Sequence, residues 1–154
     1  QMGLEKDSTF NGSWPLYALG FHHIKPVNFV SFFNAIANGG KMVSLKSQDS
    51  SAIVVDSMIA EKKNIESMKK AFRFYVTNGL GKKAESKMVN VAGTSGTIHT
   101  DDGIYADFCG YFPVEKPKYT VFVSYKRPEI PVSGGGMAGQ TFRKIAEQIM
   151  KTCK

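Results

Sequence analysis

Residues 88–125 read MVNVAGTSGTIHTDDGIYADFCGYFPVEKPKYTVFVSY, and this stretch decides the fold. It contains three segments rich in β-branched and aromatic residues, at 88–98, 103–112 and 119–125, and the last of them shows the alternation that is typical of a strand. The connections between them are only a few residues long, whereas a parallel crossover needs a dozen or more. The stretch therefore predicts three antiparallel strands joined as hairpins.

Helical patterns surround this stretch. Before it, apolar residues recur at helical spacing over about 26–37 and 62–77, and each pattern ends at an asparagine followed by glycine. After it, a third pattern covers about 138–152, and we expect Phe142, Ile145, Ala146 and Ile149 to face the sheet. Two helices, three antiparallel strands and a further helix predict an α+β fold, in which a three-stranded antiparallel sheet is packed by helices.

Two stretches before residue 60 are less clear. Residues 41–46 fit a short strand, and the apolar residues 53–59 fit a helix or a strand. The 62–77 pattern carries its basic residues on one face, and we expect all of them, Arg73 included, to be solvent-exposed.

Composition limits the class of protein. The chain has 154 residues, 42% of them hydrophobic, which predicts a single domain with a core (1–154) and excludes a disordered chain. We expect no membrane span, because no apolar run approaches the roughly 18–20 residues of a membrane helix. The N-terminal residues lack the basic, apolar and small-residue pattern of an export leader, so we expect any export signal to have been removed or to lie outside the chain. The net charge of +7 fits nucleic acid, acidic lipid and anionic cell-wall polymer equally well. Cys109 and Cys153 fit one bridge or two free thiols.

Two short motifs match catalytic patterns, and for both we favour a structural interpretation. Residues 134–139 match the G-x-G-x-x-G of dinucleotide sites, but such a site also needs a second parallel strand and an acidic residue about 20 residues further on. Only fifteen residues follow, so we expect a loop that leads into a helix. Ser67 and Lys70 form S-x-x-K, a serine–lysine pairing of acyl-transfer enzymes. Lys70 lies among other basic residues on a polar helix face, and a lysine must be desolvated to act as a base.

A possible metal site follows the first strand. His99, Asp101 and Asp102 provide an imidazole and two carboxylates, a set that fits a solvated turn as well as a metal site. No cluster of cysteine and histidine has the spacing of a zinc site. We therefore expect no bound metal.

Residues 91–97, VAGTSGT, are the best candidate for chemistry. Ser95 and Thr97 flank Gly96, and a glycine within a strand allows a ligand or another backbone to approach closely. Hydroxyl groups beside it can bind a carboxylate, and an exposed strand N–H can stabilise an oxyanion. A strand of this composition without any function fits the segment equally well.

Five segments together resemble the C-terminal half of the transpeptidase domain of class B penicillin-binding proteins. Each is similar to a family motif: NAIANGG at 34–40 (AIANGG), GLGKKA at 79–84 (GTGKxA), VAGTSGT at 91–97 (VAGKTGT), GYFPVEKPKY at 110–119 (GYFPADNPKY) and FRKI at 142–145, which opens the last helix. The resemblance is strong because all five occur in family order with plausible gaps, over about residues 12–150.

The resemblance implies a partial transpeptidase fold and a parent activity of acyl transfer in peptidoglycan cross-linking. It also implies a substrate-binding strand made by Thr94, Ser95, Gly96 and Thr97, in which the Ser95 and Thr97 hydroxyls meet the substrate carboxylate and the Thr97 N–H is an oxyanion donor. Thr94 and Ser95 stand where the family has lysine and threonine, and the loss of the lysine weakens the hold on that carboxylate. The family's nucleophilic serine and its lysine precede this region, so the resemblance implies no catalytic residue in this chain and no cofactor.

The expected partners also follow from the resemblance. They are a peptidoglycan stem peptide or a β-lactam and the N-terminal half of the transpeptidase domain, rather than nucleic acid, in the cell envelope or periplasm of a bacterium. An alternative is a non-catalytic envelope module that binds stem peptide or a protein partner. The strand at 119–125 would lack its family neighbour, so we expect this sheet edge to support self-association.

Overall fold

A computed structural model describes residues 25–45, 53–127 and 133–153. The helices are α1 (Pro26–Ala37), α2 (Lys62–Thr77) and α3 (Gly139–Thr152). The strands are β1 (Met42–Val43), β2 (Val54–Asp56), β3 (Ala92–Thr100), β4 (Gly103–Phe112) and β5 (Tyr119–Arg127). A short 3-10 helix, Lys82–Ala84, precedes β3, and a π-helical turn, Gly134–Ala138, leads into α3.

The larger sheet has the order β3-β4-β5, and both of its strand pairs are antiparallel. The predicted α+β fold with a three-stranded antiparallel sheet is therefore confirmed. The two unclear stretches pair with each other, because β1 and β2 form a small antiparallel hairpin. The first strand of the larger sheet begins at Ala92 rather than at residue 88, and it continues to Thr100.

Helices α1 and α2 cover one face of the larger sheet. Phe33 of α1 stacks on Phe72 of α2 with ring centroids 4.7 Å apart, and this pair packs with Cys109 and Tyr111 of β4. Successive side chains of a strand point to opposite faces, so Phe108 and its alternate neighbours lie on the other side.

Helix α3 covers that second face. Phe142 of α3 lies 4.9 Å from Phe108 and 5.7 Å from Phe112 between ring centroids, and Ala146 is fully buried beside them. The expectation that Phe142 and Ala146 face the sheet is confirmed. Because helices cover both faces, β4 is buried from Phe108 to Phe112 and forms the centre of the core.

The prediction that Arg73 is solvent-exposed is wrong. Its guanidinium donates to both carboxylate oxygens of Glu85, at 2.7 and 2.9 Å, and to the backbone carbonyl of Val91 at 2.8 Å. A long side chain can leave the polar face of its helix when a carboxylate lies within reach, and the planar guanidinium suits such a two-point contact. These bonds tie α2 to the residues that lead into β3.

The remaining general features concern the cysteines and the membrane. Cys109 is buried and Cys153 is exposed, and both are free thiols. Within residues 25–45, 53–127 and 133–153, none of the helices combines the length and the apolar character needed to cross a bilayer.

Candidate functional site

The segment 94–97 lies on β3, at one edge of the larger sheet. Burial decreases along it: Ala92 and Gly93 are buried, Thr94 and Ser95 are half-buried, and Gly96 and Thr97 are exposed. Gly93 allows β3 to approach β4, because a Cβ at this position would lie 2.8 Å from the Cα of Gly110. On the side away from β4, no strand from the described part of the chain pairs with β3. The exposed half of this edge strand is therefore open to a ligand.

The two predicted hydroxyls both have a partner within the protein. Ser95 and Thr97 lie on the same face of β3 because they are two residues apart. Ser95 Oγ is 2.5 Å from the hydroxyl oxygen of Tyr75, which comes from the last turn of α2. Thr97 Oγ1 accepts a hydrogen bond of 3.2 Å from the backbone N–H of Gly134. The structure thus adds Tyr75 and Gly134 to the predicted site.

Glycine is required at two positions of the turn that covers these hydroxyls. A Cβ on Gly134 would lie 2.6 Å from the carbonyl oxygen of Asp107 and closer still to that of Gly96. A Cβ on Gly135 would overlap the carbonyl oxygen of Leu80. The G-x-G-x-x-G match therefore serves close packing, since it forms a π-helical turn against β3 and leads into α3. We expected a loop that leads into a helix; the helix is present, and the segment before it is a π-helical turn rather than an irregular loop.

One charged group beside the segment was missed in the sequence. Asp107 is directly opposite Gly96 in the β3–β4 pair, and its Oδ1 is buried without a hydrogen-bond partner among the described residues. Burial raises the pKa of its carboxyl, and a hydrogen bond from Ser124 opposes this effect. The sequence feature that could have indicated this group is that Asp107 is the single acidic residue in the apolar segment 103–112.

The other predicted candidates lie elsewhere. Ser67 is exposed and donates to the carbonyl oxygen of Lys63 at 2.9 Å, and Lys70 is exposed as well. His99 and Asp101 are also exposed. Asp102 forms an ion pair of 2.5 Å with Lys126, which together with the Thr100 hydroxyl lowers the pKa of Asp102 to about 2. Among the residues whose structure is described, no group of three or more His, Cys, Asp or Glu side chains could hold a metal ion.

The family model described as the penicillin-binding protein transpeptidase domain matches residues 1–151. The comparison with curated proteins found no match.

Several solved structures are similar to this chain. The transpeptidase domain of the D,D-transpeptidase FtsI4 from Legionella pneumophila is 28% identical, with a TM-score of 0.67 over 82% of this chain and 47% of that domain. Two structures at lower identity share the fold. A peptidoglycan glycosyltransferase from Burkholderia ambifaria has 21% identity and a TM-score of 0.69 over 84% of this chain and 41% of that one. The transpeptidase domain of penicillin-binding protein 3 from Burkholderia pseudomallei has 20% identity and a TM-score of 0.68 over 82% and 42%.

The chain spans less than half the length of these three structures, which fits a fragment of the parent domain. The family match extends over nearly all of its residues, from 1 to 151. The predicted resemblance is confirmed: this chain belongs to the family of penicillin-binding protein transpeptidase domains.

Proposed function

We propose that this chain supplies the carboxylate-binding strand of a D,D-transpeptidase that cross-links peptidoglycan. The observation that carries the proposal is the placement of Ser95 and Thr97 on one face of an edge strand, at the point where the strand becomes exposed. The ligand is the C-terminal carboxylate of a stem peptide ending in D-alanyl-D-alanine, or the carboxylate of a β-lactam.

The hydrogen-bonding capacity of these side chains supports the proposal. A hydroxyl has one donor hydrogen and two acceptor lone pairs. Thr97 Oγ1 accepts from Gly134 N–H, so its own hydrogen remains available to donate to an anion. Gly96 is exposed and has no side chain, which allows a peptide to lie against the strand. The net charge of +7 favours the approach of an anionic ligand.

The proposed role of the chain is to bind substrate rather than to supply the nucleophile or its base. Ser67 and Lys70 are solvated on α2, so we assign them no part in acyl transfer. In this proposal the nucleophile and its base come from the rest of the transpeptidase domain, and the complete protein acts in the bacterial periplasm or cell envelope. Residues 1–154 are then the C-terminal portion of one transpeptidase domain.

A second candidate function is a non-catalytic envelope module that binds stem peptide or a protein partner. The observation that favours it is Thr94, a neutral residue where the family motif has a lysine. Treatment of the complete protein with a labelled β-lactam distinguishes the two functions. A transpeptidase forms a stoichiometric covalent adduct, whereas a binding module forms none.

Carboxylate binding is tested on the chain itself. We expect N-acetyl-D-alanyl-D-alanine to shift the amide NMR signals of residues 94–97, and its C-terminal amide to have little effect. Thr97→Val should weaken the binding of the acid about 10- to 150-fold, since a hydrogen bond to a charged group contributes about 1.5–3 kcal/mol. Thr120→Val is the matched control, because Thr120 lies on β5 and its hydroxyl accepts from Asn34 at 3.4 Å. Equal affinity for the acid and the amide would contradict the proposal.

A further inference from the structure

The Tyr75 hydroxyl is held in place beside Ser95. Tyr75 lies in the last turn of α2, and the chain then folds back over its ring at Gly79 and Gly81. A Cβ on Gly81 would lie 2.7 Å from Cδ1 of the ring, and one on Gly79 would lie 3.2 Å from Cδ2. The backbone at these glycines therefore lies close to both edges of the ring, whose hydroxyl oxygen is 2.5 Å from Ser95 Oγ.

The glycine turn also lies close to Ser95. A Cβ on Gly135 would be 3.4 Å from Ser95 Oγ, so the glycine turn lies against this hydroxyl. No larger residue fits there, because the same Cβ would overlap the carbonyl oxygen of Leu80. Ser95 is thus half-buried beside a phenol and a glycine turn, while the adjoining Gly96 and Thr97 are exposed.

The Tyr75–Ser95 contact has a direction that a ligand determines. In the free protein either oxygen can be the donor. A carboxylate only accepts hydrogen bonds, so a Ser95 hydroxyl that binds it must donate its hydrogen to it. The bond between the two side chains then requires Tyr75 to donate to Ser95 Oγ. Successive hydrogen bonds of this kind polarise and strengthen one another.

We propose that Tyr75 is a positioning residue that sets the Ser95 hydroxyl as a donor to the substrate carboxylate. The inference rests on the proposed function, because it assumes that the carboxylate binds at Ser95. Tyr75 acts through Ser95 and does not itself touch the ligand. Without the phenol, the Ser95 hydroxyl loses its donor and is free to rotate away from the carboxylate.

The test compares four proteins: Tyr75→Phe, Ser95→Ala, the double variant and Tyr125→Phe. Tyr125→Phe is the matched control, because it removes a similar hydroxyl pair, with Thr141 at 2.8 Å, between β5 and α3. The dissociation constants of N-acetyl-D-alanyl-D-alanine and of its C-terminal amide are measured by NMR titration of each protein. Circular dichroism confirms that each variant is folded.

We expect Tyr75→Phe to weaken binding of the acid about three- to tenfold and to leave binding of the amide unchanged. Ser95→Ala should weaken it at least as much, and adding Tyr75→Phe to Ser95→Ala should cost less than twofold more. Tyr125→Phe should have no effect. In the parent protein, a hydroxyl proton shared by Tyr75 and Ser95 should move downfield when the acid is added, which provides a readout that needs no variant.

Two kinds of failure are distinguishable. If Ser95→Ala leaves binding of the acid unchanged, the proposed carboxylate site is wrong and the inference falls with it. If Ser95→Ala weakens binding but Tyr75→Phe does not, the site stands and the role of Tyr75 is refuted. If Tyr75→Phe weakens the binding of the acid and of the amide equally, Tyr75 has only a structural role and the inference is overturned. The same holds if Tyr75→Phe weakens binding of the acid as much in the Ser95→Ala variant as in the parent.

Discussion

Replacing Gly134 by alanine should lift the glycine turn off the strand that carries the candidate site. The added Cβ would lie 2.6 Å from the carbonyl oxygen of Asp107, whereas ordinary contact begins near 3.4 Å, so the turn must move by about 0.8 Å or more. That movement also breaks the 3.2 Å hydrogen bond from Gly134 N–H to Thr97 Oγ1.

The size of the effect follows from these contacts. Inserting a methyl group into a closely packed position costs about 1–3 kcal/mol, and the lost hydrogen bond costs about 0.5–1.5 kcal/mol. The reduced freedom of the unfolded alanine chain offsets about 0.4–1 kcal/mol. We therefore expect the free energy of unfolding to fall by about 0.5–4 kcal/mol, with a parallel loss of affinity for N-acetyl-D-alanyl-D-alanine.

The assay is urea unfolding followed by circular dichroism, with Gly96→Ala as the control. A Cβ on Gly96 meets no atom within 4 Å, so this variant should be as stable as the parent or slightly more stable. If Gly134→Ala unfolds within about 0.5 kcal/mol of the parent, or if both variants are equally destabilised, the close packing of the turn on β3 is refuted.

Three further predictions concern other parts of the chain. Asp107→Ala should raise the free energy of unfolding at pH 7 by about 1 kcal/mol. Removing a buried carboxylate oxygen without a partner contributes about 1–3 kcal/mol, and losing the hydrogen bond from Ser124 offsets about 0.5–1.5 kcal/mol of it. Burial raises the folded-state pKa of Asp107 above its ordinary 3.8, so the parent's free energy of unfolding falls as pH rises through the folded pKa. At pH 3 the carboxyl is mostly protonated in both states, and the variant should lose most of its advantage in stability. An advantage that is undiminished at pH 3 would contradict this explanation. Incubation with a labelled β-lactam should leave the intact mass of this chain unchanged, and a stoichiometric gain located at Ser67 would show that its helix is misassigned. Sedimentation of the parent should show concentration-dependent association, and Ser124→Lys on β5 should reduce it. Ile98→Lys on β3 is the control. A monomeric parent, or an equal effect of the two variants, would refute pairing through the β5 edge.

The elements that the sequence predicts well are those with a strong local pattern. Helix α2 runs from Lys62 to Thr77 as predicted, because one apolar stripe and the Asn78–Gly79 stop define both its face and its end. Strand β4 has its predicted bounds, because the tight turn after β3 defines its start and its apolar run defines its end. Strand β3 begins later than predicted: residues 88–91 have a strand-like composition, but Asn90 and Val91 accept hydrogen bonds from Arg73.

The parts of the site that the sequence could not show depend on contacts between distant segments. The segment 94–97 was chosen from its own residues and from family resemblance, but its partners Tyr75 and Gly134 lie 20 and 37 residues away from the hydroxyls they meet. At helical spacing, Tyr75 and Val76 fit the buried stripe of α2 equally well. Both face inwards, and only Tyr75 has a hydroxyl to present to β3. Hydrogen bonds across such separations follow from packing, which a local pattern does not encode.

The most direct test of the central claim is a structure of this chain with N-acetyl-D-alanyl-D-alanine bound. The account predicts that the terminal carboxylate lies within hydrogen-bond distance of Ser95 Oγ and Thr97 Oγ1, with the peptide along the exposed edge of β3 at Gly96. A carboxylate bound elsewhere, with Ser95 and Thr97 still paired only to Tyr75 and Gly134, would contradict the claim that this strand binds the substrate.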